Sequence, residues 1–360
     1  MNTALAPAYE TQPISSYDDA PHIVIWEITR ACALACRHCR AEAIPHRNDQ
    51  ELDTREAFAL VDQVAKCKSP LFVITGGDPL MRDDIYDIVE YAVSRGLRVA
   101  VSPSATGRLT PLALSKLAAA GCRRISLSLD APNEQEHDAF RGVRGSFRRT
   151  LTGITDARTA GLEVQINTTI GRFNHHQMDE LARVVQEQDA AMWSLFFLIA
   201  VGRAQAEEML DAQETEAVFA QLYDISKMLA FPLKTTEAPH YRRYVMQHDI
   251  SAASPRFSGI GDGRGFVFVS HIGEVYPSGF LPFPIGNVRA VPLLELYCDN
   301  PLMKRLRQPQ TFGGKCGVCE FNTVCGGSRS RAYAVSNDPF AQEPSCAYIP
   351  EALRGPVCST

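Results

Sequence analysis

Cys32-Ala-Leu-Ala-Cys36-Arg-His-Cys39 packs three thiols into eight residues. Thiolates ligate iron–sulfur clusters, and a cubane [4Fe-4S] cluster takes four of them. A three-Cys loop therefore either borrows a distant fourth ligand or leaves one iron open to a substrate. A second group, Cys316-x2-Cys319-x5-Cys325-x20-Cys346, has its own four thiols. With one close pair, it suits a structural zinc site or a self-sufficient cluster. Basic residues gather in a third place, Arg203, His240, Arg242 and Arg243, and guanidinium groups suit bidentate recognition of a carboxylate. Cys67, Cys122, Cys298 and Cys358 stand alone and read as small buried apolar residues or inert thiols.

The composition frames this chemistry. Eleven cysteines, with no basic start and apolar stretch in residues 1–21, argue for metal or catalysis in the cytoplasm rather than a disulfide framework. A net charge of -5 gives no footprint for nucleic acid or an anionic membrane. The longest apolar run, Met192–Gly202, is well short of the roughly 18 residues a spanning helix needs. With 45% hydrophobic and 21% charged residues, the chain is ordinary globular protein, long enough for one large α/β unit and a smaller one.

The cysteine loop must be delivered by regular elements. His22–Thr29 reads as a buried strand ending at the loop. Asp53–Lys66 carries Ala57, Leu60, Val61 and Val64 at helical spacing behind an Asp53…Glu56 capping box. Leu71–Thr75 is a second apolar run, ending in Gly76-Gly77-Asp78-Pro79. The pattern then repeats: a helix over Asp84–Arg95, a strand over Leu97–Ser102, and a helix with Thr110 as N-cap, Pro111 first and Gly121 beyond its end. A strand over Arg123–Leu129 closes on Asp130, a helix follows over Phe147–Ala160, and a strand over Leu162–Ile170. A helix over 176–188, opened by an Asn174…Gln177 capping box, precedes the sixth strand, Met192–Val201.

Strand-then-helix units predict parallel strands joined by right-handed crossovers, in a doubly wound sheet or a partial TIM-type barrel. Both gather ligands beyond the C-terminal ends of their strands. The Cys loop, the Gly-Gly-Asp-Pro turn, Ser104, Thr106, Ser128, Asp130, Asn167 and Thr168 all fall there. From about residue 255 Gly and Pro increase, Gly265–Tyr276 reads as a hairpin turning at His271-Ile-Gly-Glu, and a short helix near Leu293–Arg307 precedes the second Cys group. The chain thus divides into a flexible lead-in over 1–21, an α/β domain over 22–254 and a C-terminal domain over 255–360.

Cys-x3-Cys-x-aromatic-Cys, with His38 in the aromatic slot, resembles the signature of the radical S-adenosylmethionine (SAM) enzymes. The resemblance implies a partial (β/α)6 barrel with a small C-terminal auxiliary-cluster unit, and a [4Fe-4S] cluster on Cys32, Cys36 and Cys39. In that family the open iron is chelated by SAM, and an electron from the cluster cleaves SAM to a 5′-deoxyadenosyl radical. Gly76-Gly77-Asp78-Pro79 is similar to the family's Gly-Gly-Glu-Pro turn, whose backbone holds the cofactor's ammonium, with Asp in place of Glu. Ser104, Ser128, Arg141 and Asn167 occupy places where members contact the cofactor's ribose, carboxylate or adenine. The second Cys group resembles the auxiliary-cluster unit of the SPASM and twitch subfamilies, which implies a second [4Fe-4S] cluster on Cys316, Cys319, Cys325 and Cys346. Ser278 stands where the two-cluster SPASM pattern has Cys, so one auxiliary cluster is expected.

Cys325-Gly-Gly-Ser-Arg-Ser-Arg-Ala-Tyr333, Asp338-Pro339, Pro344-Ser-Cys346, Glu237-Ala-Pro-His240-Tyr-Arg242-Arg243 and Val201-Gly-Arg203 resemble the branch that alters propionate side chains of haem-type tetrapyrroles. The resemblance implies hydrogen abstraction beta to a carboxylate, loss of CO2, and an auxiliary cluster that takes the leftover electron. Arg203, Arg242 and Arg243 would orient the substrate, and a flavodoxin- or ferredoxin-type protein would supply electrons. A maturase using the same radical on a precursor peptide is the alternative enzyme, and a zinc-binding scaffold without catalysis the alternative of another class.

Overall fold

The computed structural model describes residues 16–68, 70–249 and 259–354. Its strands are β1 (Ile23–Glu27), β2 (Leu71–Thr75), β3 (Arg98–Val101), β4 (Arg124–Ser128), β5 (Glu163–Ile170), β6 (Met192–Phe197), β7 (Leu233–Thr236), β8 (Phe266–Val269), β9 (Glu274–Tyr276) and β10 (Gly286–Asn287). They form one sheet in the order β10-β9-β8-β1-β2-β3-β4-β5-β6-β7. Every neighbouring pair from β8 to β7 is parallel, and β9 and β10 are added antiparallel.

Side chains alternate across this sheet with a period of two. Val24, Trp26, Phe72, Ile74, Ile125, Leu127, Ile166, Trp193 and Leu195 are buried in the main core with apolar residues of the covering helices. The alternate positions carry Glu27, Thr75, Ser126, Ser128, Asn167 and Ser194 together with apolar Ile25, Val73 and Phe196, so the opposite, inner face is mixed, with polar groups on every strand from β4 to β6. The helix Thr54–Ala65 has both halves of its Asp53–Glu56 capping box, and Thr110 caps the helix Pro111–Ala119 by accepting from Ala113 N–H.

All six expected strands are present, but the sheet is larger than the periodicity predicts. β7, Leu-Lys-Thr-Thr, has no apolar run to announce it. The helix Glu134–Arg141 buries only His137 and Phe140, too little for a helical stripe. β8 is an arm of the expected hairpin, turning at Gly273 with φ +82°, and it also pairs in parallel with β1 from Ile23↔Phe266 to Trp26↔Val269. Parallel pairing between distant segments leaves no local mark in a sequence. The Asn174…Gln177 capping box does not form. Instead the Asn174 amide donates to the carbonyls of Asp130 and Thr169 at 2.8 and 2.7 Å and accepts from Gly171 N–H, because joining two strand ends satisfies more buried backbone than capping one turn.

The boundary expected near residue 255, residues 1–15 of the lead-in and Cys358 lie outside the described residues. Within the described residues no helix is long and apolar enough to cross a membrane. The fully buried Tyr297 ties chain start to C-terminal half: its hydroxyl accepts from Gly265 N–H at 2.8 Å and donates to the Tyr17 carbonyl at 2.6 Å. Tyr297→Phe strands both groups and is expected to lower stability by about 1–3 kcal/mol, measured by the shift in the denaturation midpoint.

Candidate active site

The cysteine loop leaves β1 through Thr29, whose hydroxyl donates to Glu51 at 2.6 Å and accepts from Ala31 N–H. It is closed by Cys32 N–H to Ile44 O and Ile44 N–H to Arg30 O at 2.8 and 3.0 Å. Cys32, Leu34 and Cys36 form a small buried nest, with Cys39, Ala43 and Val143 packed against it, apart from the main core. Each sulfur meets a donor: Leu34 N–H lies 3.4 Å from Cys32 Sγ, Ala43 N–H 3.4 Å from Cys39 Sγ, and Arg141 Nη1 3.7 Å from Cys36 Sγ. Burial pushes the Cys32 thiol up, against the pull of Leu34 N–H and Ser104. A positively charged cluster core would reverse that, because it binds thiolate, and the N–H donors suit thiolate sulfur. The three side chains therefore fit the ligand set of a cluster.

The Gly76-Gly77-Asp78-Pro79 turn is zipped onto this loop. Gly77 N–H donates to Thr29 O and Asp78 N–H to Ala31 O at 2.8 and 2.7 Å. A Cβ on Gly76 would lie 2.5 Å from Thr29 O, and one on Gly77 2.5 Å from Ala31 O. Only glycine permits this approach. Asp78 is fully buried, and its carboxylate accepts from Leu80 N–H, Ser104 N–H and the Thr106 hydroxyl. Its side chain is thus a strut between two strand-end loops. Burial raises its pKa although those three donors oppose it. Ser104 donates to Gly77 O at 2.8 Å, and its hydroxyl is 3.6 Å from Cys32 Sγ.

On the other side of the loop Asp130, at the end of β4, is paired with Arg141 through Nε and Nη2 at 2.7 and 2.5 Å. Burial alone would raise the Asp130 pKa, but the charge of Arg141 outweighs it and the carboxyl stays below its ordinary range. His38 stacks on Phe140 with centroids 4.2 Å apart and planes 8° from parallel, and Phe140 leans on Phe173. Burial, then the charge of Arg141, lowers the His38 pKa to about 3, so the ring is neutral and serves as the aromatic its position demands. Ser128 and Asn167 are register partners on the inner face.

The basic set is not brought together as one site. Arg203 stands beside the loop, its N–H donating to Cys39 O, and its Nε and Nη2 are buried without a partner among the described residues. Arg242 is committed to the carbonyls of Val324 and Ile260 at 3.0 and 2.8 Å. Arg243 is held bidentately by Glu216 at 2.6 Å on both oxygens. His240 Nε2 is 3.0 Å from Ser345 O. Arg242, Arg243 and His240 therefore brace the junction with the C-terminal segment through these bonds, while Arg243 Nε and His240 Nδ1, like the two Arg203 nitrogens, are buried without a partner among the described residues.

Cys316, Cys319, Cys325 and Cys346 line one cavity with Lys315, Gly327 and Glu343. Glu343 N–H lies 3.2 Å from Cys316 Sγ, Gly327 N–H 3.3 Å from Cys325 Sγ, and Arg329 Nη2 3.7 Å from Cys316 Sγ. Among the described residues no three His, Cys, Asp or Glu side chains converge closely enough to hold a single metal ion. Four thiols with N–H donors aimed at two of their sulfurs suit thiolate ligands, as either a zinc ion or a cubane would require. Ser278 is buried with its hydroxyl 3.1 Å from that of Ser330.

Sequence reasoning missed a buried charge cluster directly behind the loop. Glu27, 3% exposed, accepts from Arg40 Nη2 at 2.5 Å and lies 3.1 Å from His271 Nδ1. Arg40 also covers the Phe268 ring at 4.6 Å. The available signals were a glutamate inside an apolar strand and an arginine adjoining the last loop cysteine.

Class follows from these findings and from comparison. A profile of the radical SAM superfamily matches residues 26–185. The chain belongs to the radical SAM superfamily and is a radical SAM enzyme, served by SAM and a [4Fe-4S] cluster. More particularly, an AdoMet-dependent heme synthase of Nitratidesulfovibrio vulgaris is 40% identical over 343 residues, covering 92% of this chain and 93% of that protein. Another from Methanosarcina barkeri is 37% identical over 342 residues, covering 92% and 98%. Among solved structures, Streptococcus suis SuiB bound to S-adenosylmethionine superposes with a TM-score of 0.72 at 16% identity, over 92% of this chain and 78% of SuiB. At that identity the likeness is one of fold.

Two outcomes test the geometry. Gly202, at φ +64°, faces Cys39 so closely that a Cβ would lie 2.5 Å from its carbonyl. Gly202→Ala is expected to lower iron loading while far-UV circular dichroism stays unchanged. Arg40→Met leaves Glu27 buried without its guanidinium partner, with only His271 beside it, and should cost about 3 kcal/mol near neutral pH. The pKa of Glu27 is lowered in the fold, where burial is outweighed by Arg40 and His271. That stability is present above its unfolded value and lost as pH falls through the folded one. The gap between wild type and variant in denaturant titrations therefore narrows in acid.

Proposed function

We propose that this enzyme removes carbon dioxide from propionate side chains of an iron tetrapyrrole. The observation that carries the reading is 40% identity over 92% of the chain to an AdoMet-dependent heme synthase. Taking a hydrogen from the carbon beta to the carboxylate, followed by loss of CO2, leaves a vinyl group and one electron.

Cys32, Cys36 and Cys39 hold the first cluster, Gly76 to Pro79 hold SAM with Ser104, Ser128 and Asn167, and Arg141 fixes Cys36 by its sulfur. Cys316, Cys319, Cys325 and Cys346 hold an auxiliary [4Fe-4S] cluster. When bound, SAM and the first cluster supply a 5′-deoxyadenosyl radical, and the auxiliary cluster supplies an electron-accepting centre. The chain's own groups aim N–H donors at sulfurs of both thiol nests. Arg203, with two unpartnered donors, is placed to take an anion beside the loop. Residues 22–254 form the catalytic domain and 255–360 the auxiliary-cluster domain. The cytoplasm, where a flavodoxin or ferredoxin supplies electrons, suits cysteines that are all free among the described residues.

Anaerobically reconstituted protein is expected to hold about eight irons and eight sulfides per chain. Cys32→Ala and Cys325→Ala should each lose about half, and only Cys32→Ala should abolish 5′-deoxyadenosine formation. An iron porphyrin deuterated beta to its propionate carboxylates is expected to pass deuterium into 5′-deoxyadenosine and to yield vinyl products by mass spectrometry. Colourless protein with stoichiometric zinc, or deuterium transfer from a peptide series instead, would sink this reading.

A further inference from the structure

With Arg242 and Arg243 engaged elsewhere, the inner face of the sheet has another cation that no motif marks. Ser128 is in register with Asn167, Asn167 with Ser194, and Ser194 with Lys234. Residues directly opposite on neighbouring parallel strands project to the same face. Trp193 and Leu195, either side of Ser194, are fully buried in the helix-covered core, so the row Ser128–Asn167–Ser194–Lys234 lies on the other, inner face. It begins at residues expected to touch SAM and ends at an ammonium.

Lys234 makes no hydrogen bond or ion pair with any described residue. The other cations near it are already matched. Arg124 is tied to Glu163 at 2.6 Å, and Arg242 to its two carbonyls. Lys234 is open to solvent, yet protein surrounds it: burial first, then the charges of Arg242 and Arg124, pull its pKa down to about 8. An accessible ammonium beside other cations, with no counter-ion among the described residues, is open to an incoming anion.

We propose that Lys234 receives a carboxylate of the substrate on the inner face of the barrel and so sets which propionate lies at the end of the row nearest SAM. The inference rests on the tetrapyrrole reading above and adds a recognition residue to it. A carboxylate entering here gains a charge-assisted hydrogen bond with no competing partner to displace. An esterified side chain would gain little.

The test is an anaerobic Soret titration of the cluster-loaded enzyme with an iron porphyrin bearing free propionates, and with its fully methyl-esterified form. Lys234→Met is expected to weaken binding of the free acid roughly 10- to 100-fold, the loss of one charge-assisted hydrogen bond, and to leave binding of the ester unchanged. Lys234→Arg should restore most of the affinity for the acid. Equal binding of the acid by wild type and Lys234→Met overturns the role of Lys234 alone. Equal weakening of acid and ester overturns it too, by showing that the change is structural. If wild-type enzyme binds neither porphyrin, the tetrapyrrole reading falls and takes this inference with it.

Discussion

The carboxylate of Glu27 sits at the end of β1 with Arg40 on one oxygen and His271 on the other. Arg40 directly follows the last cysteine of the loop, and His271 lies in the turn of the C-terminal hairpin. A buried charge left unpaired is costly, so this one interaction obliges the cysteine loop and the hairpin to meet at the same strand end. The sheet gives the same instruction by another route, since β1 pairs with β2 on one side and with β8 on the other. His271 reinforces it through its carbonyl, which accepts from Leu52 N–H at 2.9 Å.

Once the strand ends are fixed, the loop is shaped by close backbone approach. Gly76, Gly77 and Gly202 each face carbonyls of residues 29–40 at distances that exclude a side chain. Three segments thereby converge on the thiols without filling the space above them. The remaining contacts are directional: two backbone N–H groups and one guanidinium, each aimed at a different sulfur. Hydrogen bonds to cluster sulfurs are among the means by which a protein sets a cluster's potential, and here they come from the loop backbone and from Arg141.

The second thiol nest uses the same device with more charge around it. Arg329 and Glu343 N–H both address Cys316, and Glu343 is paired with Arg331, which is 2% exposed. Nearby, Glu237 adopts φ +58°, an uncommon conformation for a non-glycine residue, and accepts from the Ser328 hydroxyl. Burial, then the charge of Asp262, pushes its carboxyl well above the ordinary range. Ser278 and Ser330 complete this hydrogen-bonded layer with Asp262, so a serine in the position of a cysteine has a structural task there.

The sequence by itself determined the local features: six strand runs, two helix caps, the hairpin, both cysteine spacings and the Gly-Gly-Asp-Pro turn. These follow from side-chain periodicity, capping chemistry and ligand spacing, which operate over a few residues. Tertiary structure alone decided the rest. That β8 lies against β1 depends on partners more than two hundred residues apart. That Arg242 and Arg243 serve as braces depends on which carbonyls and carboxylates their long side chains reach, and a charged residue reads alike in sequence whether it is free or spent. Lys234 escaped notice for the converse reason: a lysine in a short polar strand has no local signature, and only the register of β4 to β7 places it on the inner wall without a partner. The three-cysteine loop was legible because its chemistry is contained in eight consecutive residues; the surface that would present a substrate to it was not, because it is assembled from strands whose order only folding reveals.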